Sequence, residues 1–138
     1  MKKNIEYIRE YLWSEINPIL SKFANRVVLS DLDVKFTVER HMNQTFLIRG
    51  YVSFTKTELD NEVAVLVDVL LKGGEIHLSA DACTEDGEII AIGPAAYVAP
   101  SITSEFDEAL FSDWLRRLGD FLESIESVVR ERIDGMST

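Results

Sequence analysis

Across 138 residues, Asp and Glu outnumber Lys and Arg by 24 to 14, giving a formal net charge of −10 at pH 7. That length fits one α+β domain that buries about two-thirds of its unfolded surface without staples, and the single cysteine, Cys83, excludes a disulfide framework. The acidity argues against direct contact with nucleic acid or an anionic membrane, because phosphate binding runs through Lys and Arg; it would steer association with a basic protein partner, although on charge alone solubility is the simpler reading.

The N-terminal MKKNIEYIRE carries Glu6, Arg9 and Glu10 where a signal peptide needs an apolar run. The longest apolar stretch, Val63 to Leu71, is too short for a membrane helix and contains Asp68. The chain therefore reads as soluble and cytoplasmic, in a reducing compartment.

In chain order, residues 3–23 predict an amphipathic helix. Ile5, Ile8, Leu12, Ile16, Ile19, Leu20 and Phe23 fall on one stripe, with Tyr7, Tyr11 and Trp13 beside it. Pro18 lacks a backbone N–H, so a kink or restart is expected there. Leu32 to Arg40 alternates as a strand, and so does Gln44 to Lys56. A three-residue loop, His41-Met42-Asn43, keeps their apolar faces together, with Val38 opposite Phe46 and Phe36 opposite Ile48. An Asp60-Asn61 turn then sets Phe54 against Val67, Val52 against Val69, and Tyr51 in line with Leu70 and His77.

The central stretch is Glu62 to Thr84, two strands folded on Gly73-Gly74, a pair suited to a tight hairpin turn. Lys72 then faces Glu75, and Leu71, Val69, Val67 and Val65 face Ile76, Leu78, Ala80 and Ala82 on an all-apolar side. The other side pairs Leu70 with His77, Asp68 with Ser79, Leu66 with Asp81 and Ala64 with Cys83. A helix over residues 57–72 also fits the apolar spacing, but valines at 63, 65, 67 and 69 keep strict period two and favour a strand. Asp86-Gly87 turns the chain into a fifth strand, Glu88 to Ile92, with Glu85 facing Glu88. Pro94 and Pro100 close the strand region. Ser104 caps a long C-terminal helix to Ile133, with Asp113–Arg117 and Glu126–Arg130 as four-apart pairs.

No motif spells out a reaction. His77 and Cys83 share a strand but lie about 20 Å apart, so they make no thiol–imidazole pair. No metal-ligand spacing or phosphate-cradling glycine loop occurs, and no cofactor is expected. Asp68 and Asp81 read as solvated acids rather than an acid–base couple. What stands out is the mixed face of the sheet, where Leu47, Tyr51, Leu66, Leu70, Ile90 and Ile92 alternate with Arg49, Asp68, His77 and Asp81. Either the N-terminal helix covers that face, or both helices lie opposite and it meets a partner.

The expected function is a non-enzymatic acidic binding protein, an immunity protein or inhibitor that occludes a basic toxin or nuclease. Its candidate partner-binding residues are Tyr51, Leu66, Asp68, Leu70, His77 and Asp81, with Glu85, Asp86 and Glu88 at the adjoining turn. A homodimer is a further expectation. The bulk profile also resembles type III secretion chaperones, which are small and acidic, with a C-terminal amphipathic helix and a curved sheet that binds extended peptide. That resemblance implies an effector peptide as ligand, a paired molecule, and a helix between the third and fourth strands that this chain has only if residues 57–72 are helical. A helix-grip-like small-molecule cavity under residues 106–125 is the third alternative, with Phe106, Phe111, Trp114 and Phe121 more suited to filling it than lining it.

Overall fold

The computed structural model describes residues 2–27, 32–40, 46–56, 62–72, 75–84, 86–98 and 108–135. Helix α1 (Lys2–Arg26) precedes strands β1 (Leu32–Arg40), β2 (Phe46–Lys56), β3 (Glu62–Lys72), β4 (Glu75–Thr84), β5 (Ile89–Ile92) and β6 (Ala96–Val98), and helix α2 (Glu108–Asp134) ends the described chain. The sheet is an antiparallel meander in the order β1-β2-β3-β4-β5, and β6 continues along the same edge of β4. This is the expected α+β architecture with one more strand: the segment after Pro94 pairs with β4 before crossing to α2.

Period-two alternation decides the strands. Val63, Val65, Val67 and Val69 are fully buried while Leu66, Asp68 and Leu70 are half-exposed, so residues 62–72 are a strand and not a helix. The β3–β4 register matches the expected pairing from Lys72–Glu75 to Ala64–Cys83. The other two registers keep the expected face parity but differ in position. Phe54 pairs with Val63 and Val52 with Val65, and β1 sets Phe36 against Val52 and Val38 against Gly50. In both cases the partner is displaced by four residues from the expected one, an even shift that leaves the faces unchanged. The proposed turns at residues 41–43, 60–61 and 73–74, and Glu85, lie outside the described residues.

Two bulges change which side chains reach the core. One between Phe46 and Ile48 sends both Leu47 and Ile48 into the buried cluster. The other lies between β4 and β5, where Gly87 takes a positive φ of 88° and donates its N–H to Thr84 O (3.1 Å), while Thr84 N bonds Glu88 O (2.9 Å). The extra residue, Ile90, packs on the core, and Ile89 takes the place expected for Ile90 on the opposite face. Thr84 rather than Glu85 thus pairs with Glu88.

Both helices lie on one face of the sheet. Ile8, Leu12, Ile16, Leu20 and Phe23 of α1 share a cluster with Val52, Phe54, Val65 and Val67 of the sheet, and with Phe111, Trp114, Leu118, Leu122 and Ile125 of α2. α1 lies over β1 and β2, α2 over β2 and β3. They run side by side in the same direction: Tyr11 Oη meets Ser112 Oγ at 3.2 Å, and Arg26 meets Glu126 at 3.0 Å. Arg130 donates to the Arg26 carbonyl at the C-terminal end of α1, where a cation complements the helix dipole. The four-apart pairs expected on α2 are thus replaced. Glu126 reaches across to α1, and Asp113 and Asp120 bracket Arg116. α1 continues helical through Pro18, whose ring is on the exposed side.

Each tryptophan indole donates to a backbone carbonyl near an edge of the sheet. Trp13 Nε1 bonds Val38 O on β1 at 2.9 Å, and Trp114 Nε1 bonds Pro94 O, between β5 and β6, at 3.0 Å.

Candidate binding face of the sheet

Cross-strand partners share a face, so the register lays out the surface opposite the helices row by row. One row runs Thr37, Tyr51, Leu66, Asp81, Ile92; the next runs Glu39, Arg49, Asp68, Ser79. On the β3–β4 turn side of these, Leu70 pairs with His77. On the other side, Lys35, Ser53, Ala64, Cys83 and Ile89 form a fourth row. Among the described residues no helix or strand lies over this face.

The surface has a floor and raised groups. Ser53 and Ala64 are buried although they point away from the helices. Tyr51, Leu66, Leu70 and Asp81 are half-buried, while Ile89 and Ile92 stand 57% and 78% exposed. Large apolar side chains that open to water beside acids are costly to keep without a use.

Its electrostatics are lopsided. Asp33, Glu39, Glu62, Asp68, Glu75 and Asp81 face this way against Lys35, Arg49 and Lys72. Arg49 Nε is held by Asp68 Oδ1 at 3.0 Å, and Tyr51 Oη donates to Glu62 Oε1 at 2.7 Å. Asp81 Oδ1 is buried with no hydrogen-bond partner. Burial, reinforced by the nearby Asp68 carboxylate, pushes the Asp81 carboxyl above its ordinary range. Burial, with Asp81 and Glu62 adding negative charge, likewise pushes the Cys83 thiol up, which keeps it protonated and weakly nucleophilic. Burial also raises the Tyr51 phenol, with help from Glu62.

The structure thus brings Tyr51, Leu66 and Asp81 into one row, with Asp68 in the next row and Leu70 and His77 in the one beyond it. It does not align Tyr51 with Leu70 and His77, because the β2–β3 register is displaced. Asp86 and Glu88 stand apart from this group. Thr84 Oγ1 bonds Asp86 and holds its carboxyl below the usual range. Glu88 turns toward the helix layer, where Arg132 of α2 grips both its oxygens at 2.7 and 3.0 Å and lowers its carboxyl. Leu47 and Ile90 leave the face through the bulges. Ile89 and Glu62 join it, the first signalled by Asp86-Gly87, since a glycine at positive φ after a tight turn adds one residue to the strand.

Chemically, the arrangement offers a broad acidic and apolar platform. Among the described residues no group of His, Cys, Asp and Glu is arranged to hold a metal ion, and no helix is long and apolar enough to cross a membrane. Compared with known proteins, the chain matches no family model, no curated protein and no solved structure.

Proposed function

We propose that this chain is a non-catalytic, stoichiometric binding protein whose open sheet face covers a basic surface of a partner protein, as an immunity protein or inhibitor covers a basic toxin or nuclease. One observation carries the reading: both helices pack on the same side of the sheet, leaving Tyr51, Leu66, Ile89 and Ile92 among unbalanced acids on the other. Apolar groups supply the area for a stable contact, and the acids supply steering and selection against acidic competitors.

The two other readings have less support. β3 and β4 are joined across residues 73–74, leaving no room for the helix that the chaperone resemblance implies between those strands. Phe111 and Trp114 are buried in the core beneath α2, filling the space that a helix-grip cavity needs.

The test starts from a partner captured with this protein in its native host. Its affinity is then titrated against salt for wild type, a D68R/D81R variant and an E123R control on the exposed face of α2. Binding should weaken steeply with salt, and D68R/D81R should cost at least about tenfold while E123R costs little, since charge pairs at an interface couple by about 1.5 kcal/mol or more. Equal losses in both variants, or salt-insensitive binding, would sink the proposal.

A further inference from the structure

The direction of the backbone groups in β1 follows from a chain of alternations. Gly93 N donates to Ala80 O at 2.8 Å, so the even-numbered residues of β4 turn their backbone groups toward β5 and the odd-numbered ones toward β3. Asp81 pairs with Leu66, so even residues of β3 face β4 and odd ones face β2. Val67 pairs with Gly50 and Tyr51 with Thr37, which turns the odd residues of β1 toward β2 and the even ones outward. The Trp13 bond to Val38 O is consistent with this, since a carbonyl turned out of the ladder is free to accept from a side chain. Among the described residues no strand lies beyond β1, so Val34 and Phe36 present ladder groups to the outside as well.

The two sheet edges differ. The far edge is broken at Gly93-Pro94 into pieces of 4 and 3 residues, and Pro94 has no N–H to offer. β1 is 9 residues of unbroken alternation, the kind of edge that pairs with another chain unless blocked.

Its side chains fit one occupant. Laid antiparallel against itself about a two-fold axis at Thr37, β1 exchanges backbone bonds between Phe36 and Val38 of a second copy. On the open face the same register sets Lys35 against Glu39 twice over. An axis one residue pair away, at Lys35, would instead oppose two lysines. We propose that the outer edge of β1 is a pairing surface for a second copy of this chain, in the Thr37-centred antiparallel register, gated by Trp13. The indole holds the Val38 carbonyl that the second copy's Phe36 N–H needs, so pairing requires it to let go. Once formed, the pair joins two sheets edge to edge and presents two acidic faces as one surface. The proposal rests on the edge and is independent of what binds the face.

The test uses disulfide trapping in a Cys83→Ser background, under mild oxidation. Thr37 and its copy form a pair without mutual backbone bonds, with Cα atoms about 4.5 Å apart, inside the span a disulfide accepts. Thr37→Cys should therefore cross-link to itself. Lys35→Cys and Glu39→Cys should cross-link only when the two variants are mixed. In sedimentation, Trp13→Phe, which keeps a ring but loses the N–H, should tighten self-association at least about tenfold, and Glu39→Lys should reverse that gain. Self-association should also strengthen with salt, because each copy carries −10, opposite in sign to the binding of a basic partner. Failure of Thr37→Cys to outpace Lys35→Cys alone would overturn the pairing, and an unchanged Trp13→Phe would overturn the gate.

Discussion

At the scale of single residues, two positions show how closely the layers meet and what the open face costs. Gly50 lies on the helix side of β2, where an added Cβ would stand 2.6 Å from Leu20 Cδ1. Gly50→Ala gains some strand propensity, about 0.5–1 kcal/mol, but forces a buried leucine out of its rotamer, and overpacking costs about 1–3 kcal/mol. Net destabilisation by about 1–2 kcal/mol is expected in urea melts. A double-mutant cycle with Leu20→Ala should show the two losses to be clearly less than additive, since the second change removes the obstructing methyl. Asp81 is the opposite case, a carboxyl on the open side whose burial and neighbour Asp68 hold its folded-state pKa above the unfolded value. The native state then binds more protons than the unfolded chain, so Asp81 costs stability as pH rises through the carboxylate range, and the cost persists at neutral pH. Asp81→Asn should give a small stabilisation at pH 7 that disappears below the ordinary carboxylate pKa. A gain that is the same at both pH values would contradict this account.

Among the elements, legibility depended on what fixes a register. The β3–β4 hairpin could be read pair by pair because the sequence Gly73-Gly74 suits a two-residue turn and so selects one register among the even shifts, the one observed from Lys72–Glu75 onward. Between β1 and β2 and between β2 and β3 no such pair occurs. Period two is blind to any even displacement, here one of four residues, so the faces of Phe36, Val52 and Phe54 were readable and their partners were not. β6 was missed because Ala96–Val98 is too short to show alternation between two prolines. Its attachment relies on the β5–β6 junction. There Trp114, 1% exposed, donates to Pro94 O. Trp114→Phe would preserve most of the packing and leave that carbonyl without its donor, for a loss of about 1–3 kcal/mol. Hydrogen exchange distinguishes this from a general loosening: amides of β6 should lose protection first, with β2 and β3 following only at global unfolding.

For the molecule as a whole, the apolar stripes of both helices were evident in the sequence, but a stripe does not say which face of a sheet it will cover. Only the shared cluster of Leu20, Phe23 and Trp114 with Val52 and Val65 decides that. It also decides that the acids opposite are unscreened by any described element. The consequence concerns stability as much as binding. A net charge of −10 on 138 residues repels itself in the compact state. The favourable ion pairs, Arg26–Glu126, Arg49–Asp68 and Arg132–Glu88, are largely exposed, and such pairs contribute only about 0–1 kcal/mol each at best. Salt screens both, but the repulsion involves more charges over longer distances, so its relief should win at neutral pH. Raising NaCl from low concentration to about 0.5 M, where the Debye length falls to a few Å, should therefore raise Tm at pH 7. Near the isoelectric point of about 4.6 the net repulsion vanishes and only the pairs remain to be screened, so the same salt step should leave Tm unchanged or lower it slightly. A salt response of the same sign and size at both pH values would mean that something other than net charge, such as ion-specific stabilisation of the core, governs the stability of this fold.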